Sequence, residues 1–134
     1  MDILQQLNLL FALILLNLAY TIISMSRYIK THDSINSLSE LEMFKDHARK
    51  NMYFALIQLS LLIAFNLLAI YGLIFTYKVT LIYILGMDVV IILVGKMGKN
   101  LEKRIMGIYV SDPELQEEYD RVCASWRSKP FPDF

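Results

Sequence analysis

From Ile3 to Met25 the chain runs for about 23 residues, ILQQLNLLFALILLNLAYTIISM, without one charged side chain. A helix crosses a hydrocarbon core with roughly 20 such residues, each rising about 1.5 Å. Two more apolar stretches follow, one centred near Ala64 and one reading VTLIYILGMDVVIILVGK. Inside lipid every backbone N–H and C=O must find its partner within the protein, which leaves helices or closed barrels, and continuous runs of this length select helices. The expected fold is an all-α membrane protein with three transmembrane helices at about 3–25, 52–76 and 79–98. Composition agrees, since 56% of the 134 residues are hydrophobic and 19% charged, more apolar than a soluble domain of this size.

Charge and cysteine content narrow the function classes. Thirteen basic residues balance thirteen acidic ones, so there is no basic excess to neutralise phosphates and nucleic acid is not an expected partner. The single cysteine, Cys123, excludes an internal disulfide and any cysteine-built zinc or iron–sulfur site. No GxSxG, Walker, HExxH or GxGxxG pattern occurs. Neither an enzyme nor a cofactor is therefore expected.

Charge placement sets the expected orientation. Asp2 precedes the first span, while Arg27 and Lys30 follow it, unlike a cleaved signal with its basic start. An uncleaved anchor with its N-terminus outside and its C-terminus in the cytoplasm follows from the positive-inside rule, in an inner or plasma membrane. Tyr71, Tyr77 and Tyr83 mark the outer boundary, where a very short turn at Tyr77–Lys78 implies a tight antiparallel hairpin of spans two and three. Tyr28 and Tyr53 mark the inner boundary. Arg27, Lys30, Lys96, Lys99, Lys103 and Arg104 are expected at the headgroups as anchors, with a specific lipid site as the alternative.

Outside the spans, Ser37-Leu38-Ser39-Glu40 matches a capping box, and Leu38, Leu41, Phe44 and Ala48 recur at helical spacing. No proline or glycine intervenes before Gly72, so this helical extension, 37–51, either continues into span two or lies as a separate surface helix. The third helix is expected to run on to Gly107 as its C-cap. Ser111-Asp112-Pro113-Glu114 then starts a short amphipathic cytoplasmic helix at about 112–127. Its apolar face, Leu115, Tyr119, Val122 and Trp126, must dock on something, because a lone short helix is unstable. Together with Phe131 and Phe134 of the proline-extended tail, that face is the expected partner-docking surface. Residues 1–107 thus read as the membrane bundle and 108–134 as a cytoplasmic helix with an aromatic tail.

The spans carry three strong polar residues, Asn17, Asn66 and Asp88, each within roughly 5 Å of the midplane at about 1.5 Å of rise per residue. An ionised carboxylate there costs roughly 2.5 to 3.5 kcal/mol on insertion scales, so the three are expected to form one hydrogen-bonded layer. Asp88 then serves as polar glue, as a titrating group for protons or cations, or as the wall of a water-lined crevice. Ser60 and Ala64 permit close helix approach, as do Gly86, Gly95 and Gly98. Span one, nearly uniform in leucine and isoleucine apart from Asn17, is expected to face lipid, and His32 and His47 to be solvated. The reading that follows is a small non-catalytic membrane subunit that packs with lipids and with other subunits or copies of itself. The alternative is an ion or proton channel, a transporter subunit or a pore former using Asp88. Three spans, a tiny outer loop and a charged inner tail resemble the layout of some phage holins, which implies pore formation, although the long tail with its own capped helix departs from that pattern.

Overall fold

The computed structural model describes residues 2–77 and 79–134. Three long helices, α1 (Ile3–Thr31), α2 (Leu38–Tyr71, extended by a π-helical turn over Gly72–Thr76) and α3 (Leu81–Ile105), are joined by a shorter α4 (Pro113–Ser128). The first three are long and apolar enough to cross a membrane, the make-up of a multi-pass membrane protein. Two short strands, β1 (Ser34–Ile35) and β2 (Tyr109–Val110), pair in parallel, Ser34 opposite Tyr109 and Ile35 opposite Val110.

Local chemistry explains the helix ends. Asp2 accepts from the Gln5 N–H at 2.8 Å while the Gln5 side chain accepts from the Asp2 N–H at 3.1 Å, so a capping box launches α1. That helix continues past Met25 to Thr31, and Arg27 and Lys30 are therefore exposed helical residues. Ser37 caps α2 through the Glu40 N–H at 3.3 Å. The return contact falls one residue earlier than the capping pattern predicts, with Glu40 accepting from the Asn36 N–H at 2.7 Å. From there α2 runs unbroken into its apolar half, so the continuous helix is the form adopted and the separate surface helix is not. Gly107 is not a left-handed cap, because no glycine has a positive φ among the described residues and α3 ends at Ile105 with Met106 as its C-cap. Tyr77 turns the chain instead, at φ 54°, a conformation that a bulky residue adopts only at some cost. Its expected neighbour in the turn, Lys78, lies outside the described residues.

The order of packing differs from that expected. α1 lies along both α2 and α3, whereas α2 and α3 barely touch. The two are neighbours in sequence but not a packed hairpin, and α1 is the common floor beneath them. α1 buries Ile3, Leu7, Ile14 and Met25 and turns Leu9, Leu13, Leu16 and Ile23 outward, so the first long helix is exposed on one side only. At the hairpin end Gly72 makes the close approach possible: a Cβ there would stand 2.8 Å from Val79 and 3.1 Å from Ile3.

Two apolar clusters result. One, at the hairpin end, joins Leu7, Ile14, Phe65, Ala69, Ile84, Met87 and Ile91. The other, at the charged end, gathers Met25 and Tyr28 of α1, Leu41, Phe44 and Ala48 of α2, Ile105 of α3, Ile35 and Val110 of the strands, and Tyr119, Val122 and Cys123 of α4. This second cluster bridges the division expected after residue 107.

Candidate functional site

Because α2 and α3 diverge over α1, a cleft of about 380 Å³ opens between them. Its floor is Asn17, Leu18, Thr21 and Met25 of α1. One wall carries Asn51, Phe54, Ala55, Gln58, Leu59 and Leu62 of α2, the other Ile91, Gly95, Gly98, Lys99 and Glu102 of α3, and Trp126 of α4 closes the charged end. The middle is thus largely apolar, and the charges are confined to one end. That volume lies within the roughly 300–1,000 Å³ of small-molecule sites.

Asn17 lies on the floor, donating from Nδ2 to Gln58 Oε1 at 2.8 Å and to the Phe54 carbonyl at 3.2 Å. The remaining donor of Gln58, its Nε2, is buried without a partner. Asn66 is exposed and donates to the carbonyl of Leu62 in its own helix at 2.8 Å. Asp88 is half-buried and makes no hydrogen bond or ion pair among the described residues. No hydrogen bond therefore joins Asn17, Asn66 and Asp88 into the expected layer. The divergence of α2 from α3 is the reason, together with axial offset: Asn17 reaches Gln58, which stands about 12 Å along α2 from Asn66 at about 1.5 Å per residue. Helical spacing sets Asn66 one turn beyond Leu62 and Asp88 two turns before Gly95, so both extend the line of the cleft toward the hairpin end.

The apolar face of α4 is turned to this chain. Tyr119 and Val122 are buried and Leu115, Trp126 and Phe134 pack against the same cluster, so five of the six expected partner-docking residues are taken up internally. Only Phe131 stays exposed, at 63%. The Tyr119 hydroxyl closes the end of α3, donating to the Ile105 carbonyl and accepting from the Ile108 N–H at 3.2 Å. Phe134 is held by Arg49, whose Nε donates to its backbone oxygen at 2.7 Å and whose guanidinium stands 5.5 Å from the ring centroid. Glu118 bridges α4 to α2, with Arg121 at 2.6 Å and Lys45 at 2.8 Å. The Arg121 and Lys45 hydrogen bonds hold its carboxyl down at about 2. Burial pushes the Cys123 thiol up to about 11 and raises the Tyr119 hydroxyl as well.

His32 and His47 are half-buried and not fully solvated. Both stack on the ring of Tyr28, at centroid distances of 4.7 and 4.4 Å with interplanar angles of 13° and 14°, and the Asn51 amide donates to His47 Nε2 at 2.8 Å. The described residues hold no group of three or more His, Cys, Asp or Glu side chains placed for a metal ion. All six basic anchors, Arg27, Lys30, Lys96, Lys99, Lys103 and Arg104, are exposed, and Lys99 also lines the cleft. Sequence reasoning missed Glu102 and Asn51. Glu102 follows Gly95 at i+7 and Lys99 at i+3, so a stripe of that spacing was the signal that could have found it.

No protein family, curated protein or solved structure matches this chain.

Proposed function

We propose that this chain is a small, non-catalytic integral-membrane subunit that assembles with other membrane spans, copies of itself or different subunits. Asp88 carries the reading. A carboxyl within an apolar span stands without any hydrogen bond or ion pair among the described residues, and such a group needs a partner in protein or water. Asn66 supports it, being exposed and satisfied only within its helix. With the α4 face occupied internally, assembly runs through the outward faces of α2 and α3 and through Phe131, not through the amphipathic helix. The orientation is N-terminus outside and C-terminus in the cytoplasm, which fits the gathering of the basic residues at one end.

The test is purification of the full chain in mild detergent. Recovery of a complex larger than the monomer, dispersed by Asp88→Leu but preserved by Asp88→Asn, is the expected result. A stable monomer without a co-purifying partner overturns the proposal. The same lone carboxyl favours one second reading, a proton- or cation-conducting subunit. Flux into reconstituted vesicles that falls in Asp88→Asn, although assembly is preserved, selects it.

A further inference from the structure

We infer that the cleft between α2 and α3 is a binding site for one aminophospholipid, of the phosphatidylethanolamine type. An acyl chain fills its apolar length and the zwitterionic headgroup lies against Lys99, Glu102 and Trp126. The site stands or falls apart from the assembly proposed above.

Three observations carry the assignment. The first is shape: the cleft is bounded by two membrane-crossing helices and floored by a third, half of its lining residues are Leu, Met, Ile, Phe or glycine, with Ala55 and Trp126 beside them, and its volume is about 380 Å³. A whole transmembrane helix, about 10 Å wide and 30 Å long, is far too large for it, whereas an extended hydrocarbon chain suits it. Gly95 leaves room on the α3 wall, since a Cβ built there meets no atom within 4 Å.

The second is position. The apolar part of α3 ends at Lys96, and Lys99 and Glu102 follow within two turns, roughly 5 to 9 Å farther at about 1.5 Å per residue. The charged end of the cleft is thus at headgroup depth while its middle is at acyl-chain depth. Trp126 stands at that boundary, where an indole with one apolar face and one N–H donor is favoured.

The third is charge. Lys99 and Glu102 make no hydrogen bond or ion pair among the described residues, although Glu102 is half-buried. Arg127 of α4 also lies within electrostatic range of Glu102. A phosphate accepts from Lys99, and a primary ammonium one ethylene unit away donates to the Glu102 carboxylate. A choline headgroup has no N–H to donate, and a glycerol headgroup brings no cation to Glu102. Serine also carries a primary ammonium but sets a second carboxylate beside Glu102, so of the common headgroups ethanolamine is the one that meets both side chains without adding a like charge.

Trp126 is the sole tryptophan, so its emission reports occupancy directly. The full chain is reconstituted in unlabelled phosphatidylcholine vesicles containing a small fraction of lipid brominated high on the acyl chain, with an ethanolamine, choline or glycerol headgroup. Quenching by the ethanolamine lipid at several-fold lower mole fraction than by the other two is expected. Gly95→Leu, which fills the cleft without touching the core, removes that preference while leaving the circular dichroism unchanged, and Glu102→Gln brings ethanolamine to the level of choline. Equal quenching by all three lipids means annular contact only and overturns the site, as does a preference for the glycerol headgroup. A preference that survives both substitutions places the lipid elsewhere. Protection from all three lipids, with disulfide cross-linking between copies carrying Gly95→Cys, assigns the cleft to a second copy and likewise overturns it.

Discussion

The Tyr119 hydroxyl donates to the Ile105 carbonyl at 2.5 Å, so the last residue of α3 is sealed by a side chain from the middle of α4. A helix end leaves carbonyls without intrahelical partners, and here one is buried against a separate helix. Tyr119→Phe keeps the ring in its cluster but strips that carbonyl, and the Ile108 N–H, of their partner. A loss of about 1 to 3 kcal/mol in the stability of the charged-end cluster is expected. It appears as earlier loss of α4 in a thermal melt followed by Trp126 emission. A melt indistinguishable from the parent would mean that water replaces the hydroxyl without cost.

Docking of α4 is expected to weaken in acid. The Glu118 carboxyl is depressed from its ordinary 4.5 to about 2 by Arg121 and then Lys45. A group with a lowered folded-state pKa contributes stability that is present above its unfolded value and is lost as pH falls through its folded one. The contribution therefore fades between about pH 4.5 and 2. Glu118 is partly exposed, so salt screens the effect. Titration of Trp126 emission is expected to show α4 loosening in that window, with the acid response diminished in Glu118→Gln. An unchanged titration in that variant would remove Glu118 from the account.

Cys123 is expected to resist maleimides. It is 2% exposed, and burial raises its thiol to about 11, so little thiolate exists near neutrality and little of it is reachable. The folded chain is expected to label at least tenfold more slowly than a Glu117→Cys variant, whose new thiol is on the exposed side of α4. Applied to intact cells with an impermeant reagent, that variant also tests the orientation: it stays unlabelled until lysis when α4 is cytoplasmic. Rapid labelling of Cys123 in the parent chain would contradict the docked position of α4.

Asn17 and Asn66 separate under substitution. Asn17→Leu breaks two contacts between α1 and α2 and is expected to cost roughly 0.6 to 2 kcal/mol, the range for polar contacts between membrane helices. Asn66→Leu loses only a bond within α2 and leaves the isolated chain unaffected within about 0.5 kcal/mol. Reversible unfolding in mixed micelles measures both. If the two losses were equal, or reversed, Asn66 would have a partner on another helix of its own chain.

Much of the local structure was legible because it is written in neighbouring residues. Ser37 with Glu40 started α2, Asp112 with Pro113 started α4, and the uninterrupted stretch to Gly72 made α2 one helix. What escaped was set by residues far apart. β1 and β2 hold only two residues each and come from either side of two spans. His32 and His47 stack through Tyr28, a residue with no reason to lie between them until α1 and α2 have packed. The midplane layer was drawn from depth alone, which constrains the coordinate along a helix and not the rotation or separation of its neighbours. Asn17 found Gln58 because α1 touches α2, while α3 leans away and leaves Asp88 apart.

The seat that receives α4 is made from Met25 and Tyr28 of the first long helix, Leu41 and Phe44 of the second, and Ile105 of the third. None of these helix ends forms it alone. The fourth helix thus finds its resting place only when the three longer helices have brought their charged ends together, and a chain with one of those helices reversed would have the seat divided. In this arrangement the docking of α4 is an inspection of the finished packing of the three long helices, carried by the shortest helix of the four.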